Sequence, residues 1–169
     1  PFSSETSGKR IAVLSLSSDA DDYYAGRPFI REIRKRRPDA AAFYADAFTG
    51  REFLREARAR ALEADIVILA LFSSLRTSKG SVDILPGHID LVRELAWAGK
   101  KTVAISFGNP YFLRHFPEVS AYLCIYKNTT IAQETAARAV FGEIDTEGRL
   151  PVTIPGLFPA GHGLTLKKI

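Results

Sequence analysis

Ala64-Asp65-Ile66-Val67-Ile68-Leu69-Ala70-Leu71-Phe72 is apolar at every position after Asp65, with no alternation of polar and apolar residues. A strand with one wet face alternates, whereas an unbroken β-branched and apolar run of this length marks a strand covered on both faces, as in a parallel sheet flanked by helices. The run predicts a central strand, and the rest of the chain is read outward from it.

On its N-terminal side, Arg10 to Leu16 and Ala41 to Tyr44 are shorter segments of the same kind, read as the first and second strands. Between them, from about Arg27, Phe29, Ile30 and Ile33 fall on one side of a helix that Pro38 ends. Thr49 with Glu52 three residues on predicts a capping box, and Phe48 and Phe53 occupy the positions of a hydrophobic staple. The helix that follows turns Phe53, Leu54, Ala57, Ala61 and Leu62 inward and Arg55, Glu56, Arg58 and Arg60 to solvent.

On the C-terminal side, a polar loop from Ser73 to Asp83 leads to a helix opened by Pro86 and closed by Gly99, with Ile89, Val92, Leu95 and Ala96 inward. Thr102 to Phe107 and Ala121 to Tyr126 read as strands, separated by the Gly108-Asn109-Pro110 turn and a short helical piece from Pro110 to His115. Thr130 with Gln133 predicts a second capping box, which opens an alanine-rich helix ending at Gly142.

Strands and helices that alternate with short connections define an α/β three-layer sandwich. The expected sheet is mostly parallel, of about five or six strands, with helices on both faces in a flavodoxin-like or Rossmann-like arrangement. Residues 1–9 are expected to be a disordered or linker N-terminus and residues 10–169 a single α/β sandwich domain. The 169 residues, 46% apolar and 25% charged, suit such a packed, soluble chain. No apolar run approaches the roughly 20 residues that cross a bilayer. Pro1 to Lys9 does not resemble a signal peptide, and Pro1 in place of Met suggests a processed or truncated start. The single cysteine, Cys124, excludes an internal disulfide and a multi-cysteine metal cluster, and its apolar neighbours place it in the core.

Ligands of open α/β sheets gather beyond the carboxyl ends of the strands. The loop after the first strand has neither Gly-x-Gly-x-x-Gly nor Gly-Lys-Ser/Thr, so the phosphate cradles of nucleotide sites are missing. Asp19, Asp21 and Asp22 cluster there and could hold Mg²⁺, but the third strand ends Leu71-Phe72-Ser73 with no acid to complete the site, and solvated or capping aspartates are the favoured reading. The run Arg31, Arg34, Lys35, Arg36 and Arg37 carries much of the net charge of +4 and has no interleaved aromatics, so it reads as a solvated helix face and not as a nucleic-acid surface.

His88, His115 and His162 lack partners at metal-ligand spacing, and no Gly-x-Ser-x-Gly elbow exists. No catalytic residue, metal ligand or cofactor site is therefore assigned. The one segment placed for substrate contact is the loop after the central strand, with Arg76, Lys79 and Asp83, although an ordinary polar connector is the blander reading. Tyr23, Tyr24, Tyr111 and Phe112 are alternative aromatic faces for a carbohydrate, set against ordinary packing.

Residues 101–126 (KTVAISFGNPYFLRHFPEVSAYLCIY), 132–156 (AQETAARAVFGEIDTEGRLPVTIPG) and 158–164 (FPAGHGL) carry a more specific signal. They resemble the C-terminal domain of glycoside hydrolase family 3, above all the two-domain enzymes of the β-N-acetylglucosaminidase (β-N-acetylhexosaminidase) type. The most diagnostic stretches are Gly142-Glu143-Ile144 and Gly148-Arg149-Leu150-Pro151-Val152-Thr153-Ile154-Pro155, and the resemblance continues more weakly, in register, over Ile11 to Gly99.

The resemblance implies a sandwich packed beside a catalytic (β/α)8 barrel of the same parent protein, whose aspartate is the nucleophile. A retaining glycosidase needs a second carboxylate or an equivalent acid/base. In β-glucosidase members this is a glutamate on the loop after the third strand. Residues 73–84 here read SSLRTSKGSVDI, with no glutamate. That departure fits the N-acetylglucosaminidase group, whose acid/base histidine and aspartate lie in the barrel, and leaves this domain as a non-catalytic accessory that meets carbohydrate through its parent. A soluble bacterial parent, periplasmic or secreted, is compatible with the resemblance, which leaves the compartment open. An independent Mg²⁺-dependent or signalling module and a carbohydrate-binding module are the alternatives.

Overall fold

The computed structural model describes residues 8–19, 24–73 and 84–169. Five strands, β1 (Ile11–Ser17), β2 (Ala41–Ala45), β3 (Ile66–Phe72), β4 (Lys101–Phe107) and β5 (Ala121–Ile125), form one sheet in the order β2-β1-β3-β4-β5. Every pairing is parallel. β3 is central as its unbroken apolar run demands, and all seven of its residues are buried. Helices α1 (Arg27–Arg36), α2 (Arg51–Glu63), α3 (Pro86–Trp97) and α4 (Thr130–Val140) connect the strands, with a 3₁₀ helix at Pro110–His115.

Because side chains alternate across a strand, β3 feeds two cores. Val67, Leu69 and Leu71 meet Ala57 and Ala61 of α2, Leu91, Val92 and Leu95 of α3, and Phe112 and Phe116. Ile66, Ile68, Ala70 and Phe72 meet Phe29 and Ile33 of α1 and Ala136, Ala137 and Val140 of α4. In this second core, Phe72 stacks on Phe107 at 4.4 Å and Phe29 meets Phe107 edge-on at 6.0 Å. Two helices on each face of a parallel sheet make the three-layer sandwich.

Both expected capping boxes are corrected. α2 starts from Gly50 with no side-chain cap, because the Thr49 hydroxyl is taken by Asp46: it accepts from the Asp46 N–H at 2.8 Å and donates to Asp46 Oδ1 at 3.1 Å. The staple also fails, since Phe48 is exposed while Phe53 packs edge-on against Phe43 at 5.7 Å. In α4 the cap is Thr129, one residue earlier, which accepts from the Ala132 N–H.

Gln133 serves a different helix. Its Oε1 accepts from the N–H groups of Gly26 at 3.0 Å and Phe29 at 3.3 Å. Its Nε2 donates to the Tyr24 carbonyl at 3.2 Å and to Asn128 Oδ1 at 2.9 Å. Gly26 is the N-cap of α1, in a left-handed conformation with φ +78° and no capping side chain of its own. A fully buried glutamine from α4 thus does the capping that α1 lacks.

The basic run is mostly engaged within the chain. Arg31 pairs with Glu134, Lys35 with Glu32, and Arg37 with Asp39. Arg36 bonds Glu32 at 3.0 Å and clasps Glu143 with a bidentate contact, joining α1 to the segment after α4. This pairing holds the Glu143 carboxyl below its ordinary range, through the Arg36 hydrogen bond first of all.

Cys124 is also corrected: β5 is an edge strand, and the thiol is only half-buried on it. Past Gly142 no further strand joins the sheet among the described residues. Isolated bridges join Thr146 to Leu166 and Ile154 to Phe158. Further backbone bonds link Leu150 to His162 at 2.8 Å and Ile169 to Gly142 at 2.9 Å, and Lys167 ties Asp145 to Glu147. The His162 N–H donates to the Pro159 carbonyl at 3.2 Å, and its ring stacks on Phe158 at 4.3 Å.

Candidate functional site

The carboxyl ends of the strands are knitted together by their own loops. The Ser18 N–H donates to the Phe72 carbonyl at 3.1 Å, which joins the ends of β1 and β3, where the strand order reverses. The Ser17 hydroxyl donates to the Asp19 carbonyl and accepts from the Asp19 N–H. At the end of β4, the Gly108 N–H donates to the Ile125 carbonyl at 2.7 Å, the Ser106 hydroxyl donates to the Asn109 carbonyl, and Asn109 Oδ1 accepts from the Tyr111 N–H at 2.9 Å.

Around this rim the exposed large apolar side chains include Tyr24, Phe48, Tyr111, Tyr126 and Ile131, interspersed with exposed Lys127, Thr129 and Thr130. Tyr111 lies close enough to Tyr126 to act on its hydroxyl, whose pKa partial burial chiefly pushes up to about 12. Burial likewise pushes the Cys124 thiol up to about 11, so at neutral pH it is a protonated thiol and not a nucleophile. Among the described residues no group of three His, Cys, Asp or Glu side chains converges as a metal ligand set. What this rim offers chemically is aromatic faces and hydroxyls, which suit packing and recognition.

Of the residues expected to border substrate, Arg76, Lys79 and Asp83 all lie outside the described residues, as do Asp21, Asp22, Tyr23 and most of the expected N-terminal linker. Asp19 is engaged with its own turn. Of the aromatic candidates, Tyr24 and Tyr111 are exposed on the rim, whereas Phe112 is fully buried in the core. Tyr126 and Ile131 carry no functional reading from the sequence, and Phe48 only a staple role; their positions just past strands or in a helix's first turn are the one signal that marks them.

His88 was set aside as an unpartnered histidine, and its position in α3 is now clear: it is 2% exposed and its Nδ1 has no hydrogen-bond partner. Burial pushes its pKa down to about 4, against a smaller upward pull from Asp46. The folded value lies below the unfolded one, so as pH falls the unfolded chain takes the proton first. Stability is therefore complete above the unfolded pKa of about 6.5 and is lost as pH drops toward 4, by about 3 kcal/mol. Urea unfolding at pH 7 and pH 4 checks this, with His88→Leu expected to flatten the difference.

A parallel sheet with paired helix layers defines the class: a doubly wound α/β sandwich domain. The model of the glycosyl hydrolase family 3 C-terminal domain matches residues 1–160, and the chain belongs to that family.

Similar solved structures include a fungal multi-domain family 3 β-N-acetylglucosaminidase with a GCN5-related glucosamine N-acetyltransferase region (TM-score 0.70, 26% identity, 92% of this chain and 17% of that one). A family 3 β-N-acetylglucosaminidase from Paenibacillus sp. str. FPU-7 follows (TM-score 0.69, 17% identity, 86% and 27%). A β-glucosidase from Listeria innocua is similar at TM-score 0.64 and 16% identity, over 83% and 22% of the two chains. At 17% and 16% identity the last two share the fold. The chain spans about a quarter or less of these proteins. No curated protein sequence matches it. No helix among the described residues is long and apolar enough to cross a membrane.

Proposed function

We propose that the chain is the non-catalytic accessory part of a family 3 enzyme that removes terminal β-linked N-acetylhexosamine, working beside a catalytic barrel of the same parent protein. One observation carries the reading: the loop joining β3 to α3, residues 73–83, contains no glutamate, although that loop supplies the acid/base in β-glucosidase members. The β-N-acetylglucosaminidases among the similar structures agree with this branch.

The aromatic rim of Tyr24, Phe48, Tyr111 and Tyr126 is the surface that the barrel packs against, since exposed apolar side chains gathered on one edge mark an interface. Arg76, Lys79 and Asp83, on the β3–α3 loop, border the substrate without doing its chemistry.

The test uses the full-length parent and the isolated chain, each given chromogenic N-acetyl-β-glucosaminide and β-glucoside. The parent is expected to cleave the first and the isolated chain neither. In the parent, Arg76→Ala and Lys79→Ala raise KM, and Asp83→Asn changes kcat by less than about tenfold; a loss of about 10²-fold or more is the size expected for a general acid/base and overturns the accessory role.

A further inference from the structure

The only tryptophan of the chain, Trp97, stands at the end of α3 with 69% of its surface exposed. Leaving an indole in water forgoes about 2–3 kcal/mol of burial, so its environment calls for a reason. Asp90, Glu94 and Trp97 recur at i, i+4 and i+7 and share one face of the helix with Arg93. Together with Ala98 these residues line an open hollow of about 520 Å³. A second hollow of about 330 Å³ adjoins it, shares Asp90 and Glu94, and continues toward Arg51, Leu54 and Arg58 of α2. Both hollows are open to solvent, a shape for a chain that lies across the surface.

The polar side chains are held in different ways. Glu94 is fixed by a bidentate contact from Arg58, with Nε to Oε2 at 2.7 Å. Arg93 is anchored through Nε to the His115 carbonyl, and its other N–H groups have no partner among the described residues. Asp90 is exposed and has no partner among the described residues. A rigid aromatic plate beside an unpaired carboxylate and a guanidinium with spare donors is a chemistry suited to a sugar. The C–H face of a pyranose stacks on the indole, while planar Asp and Arg groups take pairs of neighbouring hydroxyls or an acetamido carbonyl.

We infer that the α2–α3 groove centred on Trp97 is a surface-binding site for oligosaccharides of β-linked N-acetylhexosamine, away from the strand-end rim. The choice of sugar rests on the substrate class proposed above, while the site itself rests on Trp97, Asp90 and Arg93.

Intrinsic fluorescence of the chain reports on Trp97 alone, so titration with the tetramer of β-1,4-linked N-acetylglucosamine tests the site directly. The emission is expected to shift to the blue and saturate in the millimolar range, with cellotetraose at least fivefold weaker. Trp97→Ala abolishes the heat of binding in calorimetry, Trp97→Phe restores part of it, and Asp90→Ala and Arg93→Ala each weaken it about fivefold. The Trp97 and Asp90 variants keep their melting temperatures, because those side chains are exposed, whereas Arg93→Ala also loses the bond to the His115 carbonyl and melts a few degrees lower.

Saturable binding of cellotetraose alone keeps the site and overturns the N-acetylhexosamine reading. No change with either sugar overturns the site, whatever the parent hydrolyses. A heat of sugar binding that Trp97→Ala leaves unchanged also overturns it.

Discussion

Gly26→Ala is expected to lower stability by about 3 kcal/mol, or roughly 6–12 °C in melting temperature for a chain of this size. Two penalties combine. The residue holds φ +78°, where an L side chain is strained by about 1–2 kcal/mol. An added Cβ would also lie 1.5 Å from the Ser15 hydroxyl oxygen and 2.6 Å from its Cβ, deep in the core beside β1. Thermal and urea unfolding measure the sum. The double variant Ser15→Gly/Gly26→Ala separates them, since it removes the clash and keeps the strained φ, and it should be less destabilised than the two single losses added together. Gly87→Ala is the control: nothing lies within 4 Å of its would-be Cβ, and it sits in a helix where alanine is preferred by about 0.5–1 kcal/mol. Equal losses at Gly26 and Gly87 would refute the steric account.

Gln133→Leu should cost about 3 kcal/mol, although leucine fills a similar volume. The substitution leaves the buried N–H groups of Gly26 and Phe29 without an acceptor and takes a donor from the Tyr24 carbonyl. An orphaned buried polar group costs about 1–3 kcal/mol. Amide exchange locates the damage: protection is lost at the start of α1, more than 100 positions away in sequence, before it is lost within α4 itself. If the unfolding midpoint stays within the error of the unsubstituted chain, the bridging role is wrong.

These two positions also mark where sequence reasoning ended. The strands and helices were legible because each carries its own periodicity, and β3 declares its central place by burying every position. The caps were not, for a physical reason. Thr49 and Gln133 have the right residue types at the right spacing, but a hydroxyl or amide binds the nearest unsatisfied group in space. Asp46 won the first and the N-terminus of α1 the second. Likewise the polarity of the basic run was readable while its pairing was not, because Glu134 and Glu143 reach it from the far end of the chain. Trp97 went unremarked in the sequence since a helix-terminal aromatic reads as core until its exposure is known.

Residues 144–169 have a mechanical consequence. Among the described residues, the hydrogen bonds of this segment close within it, and its last residue bonds back to Gly142, where the segment departs. Through these bonds a load along it reaches the sandwich at the end of α4. From there the Arg36–Glu143 clasp carries the load sideways into α1. The hydrogen-bonded path thus runs through the helical layer over one face of the sheet, so whatever grips this appendage pulls first on α4 and α1.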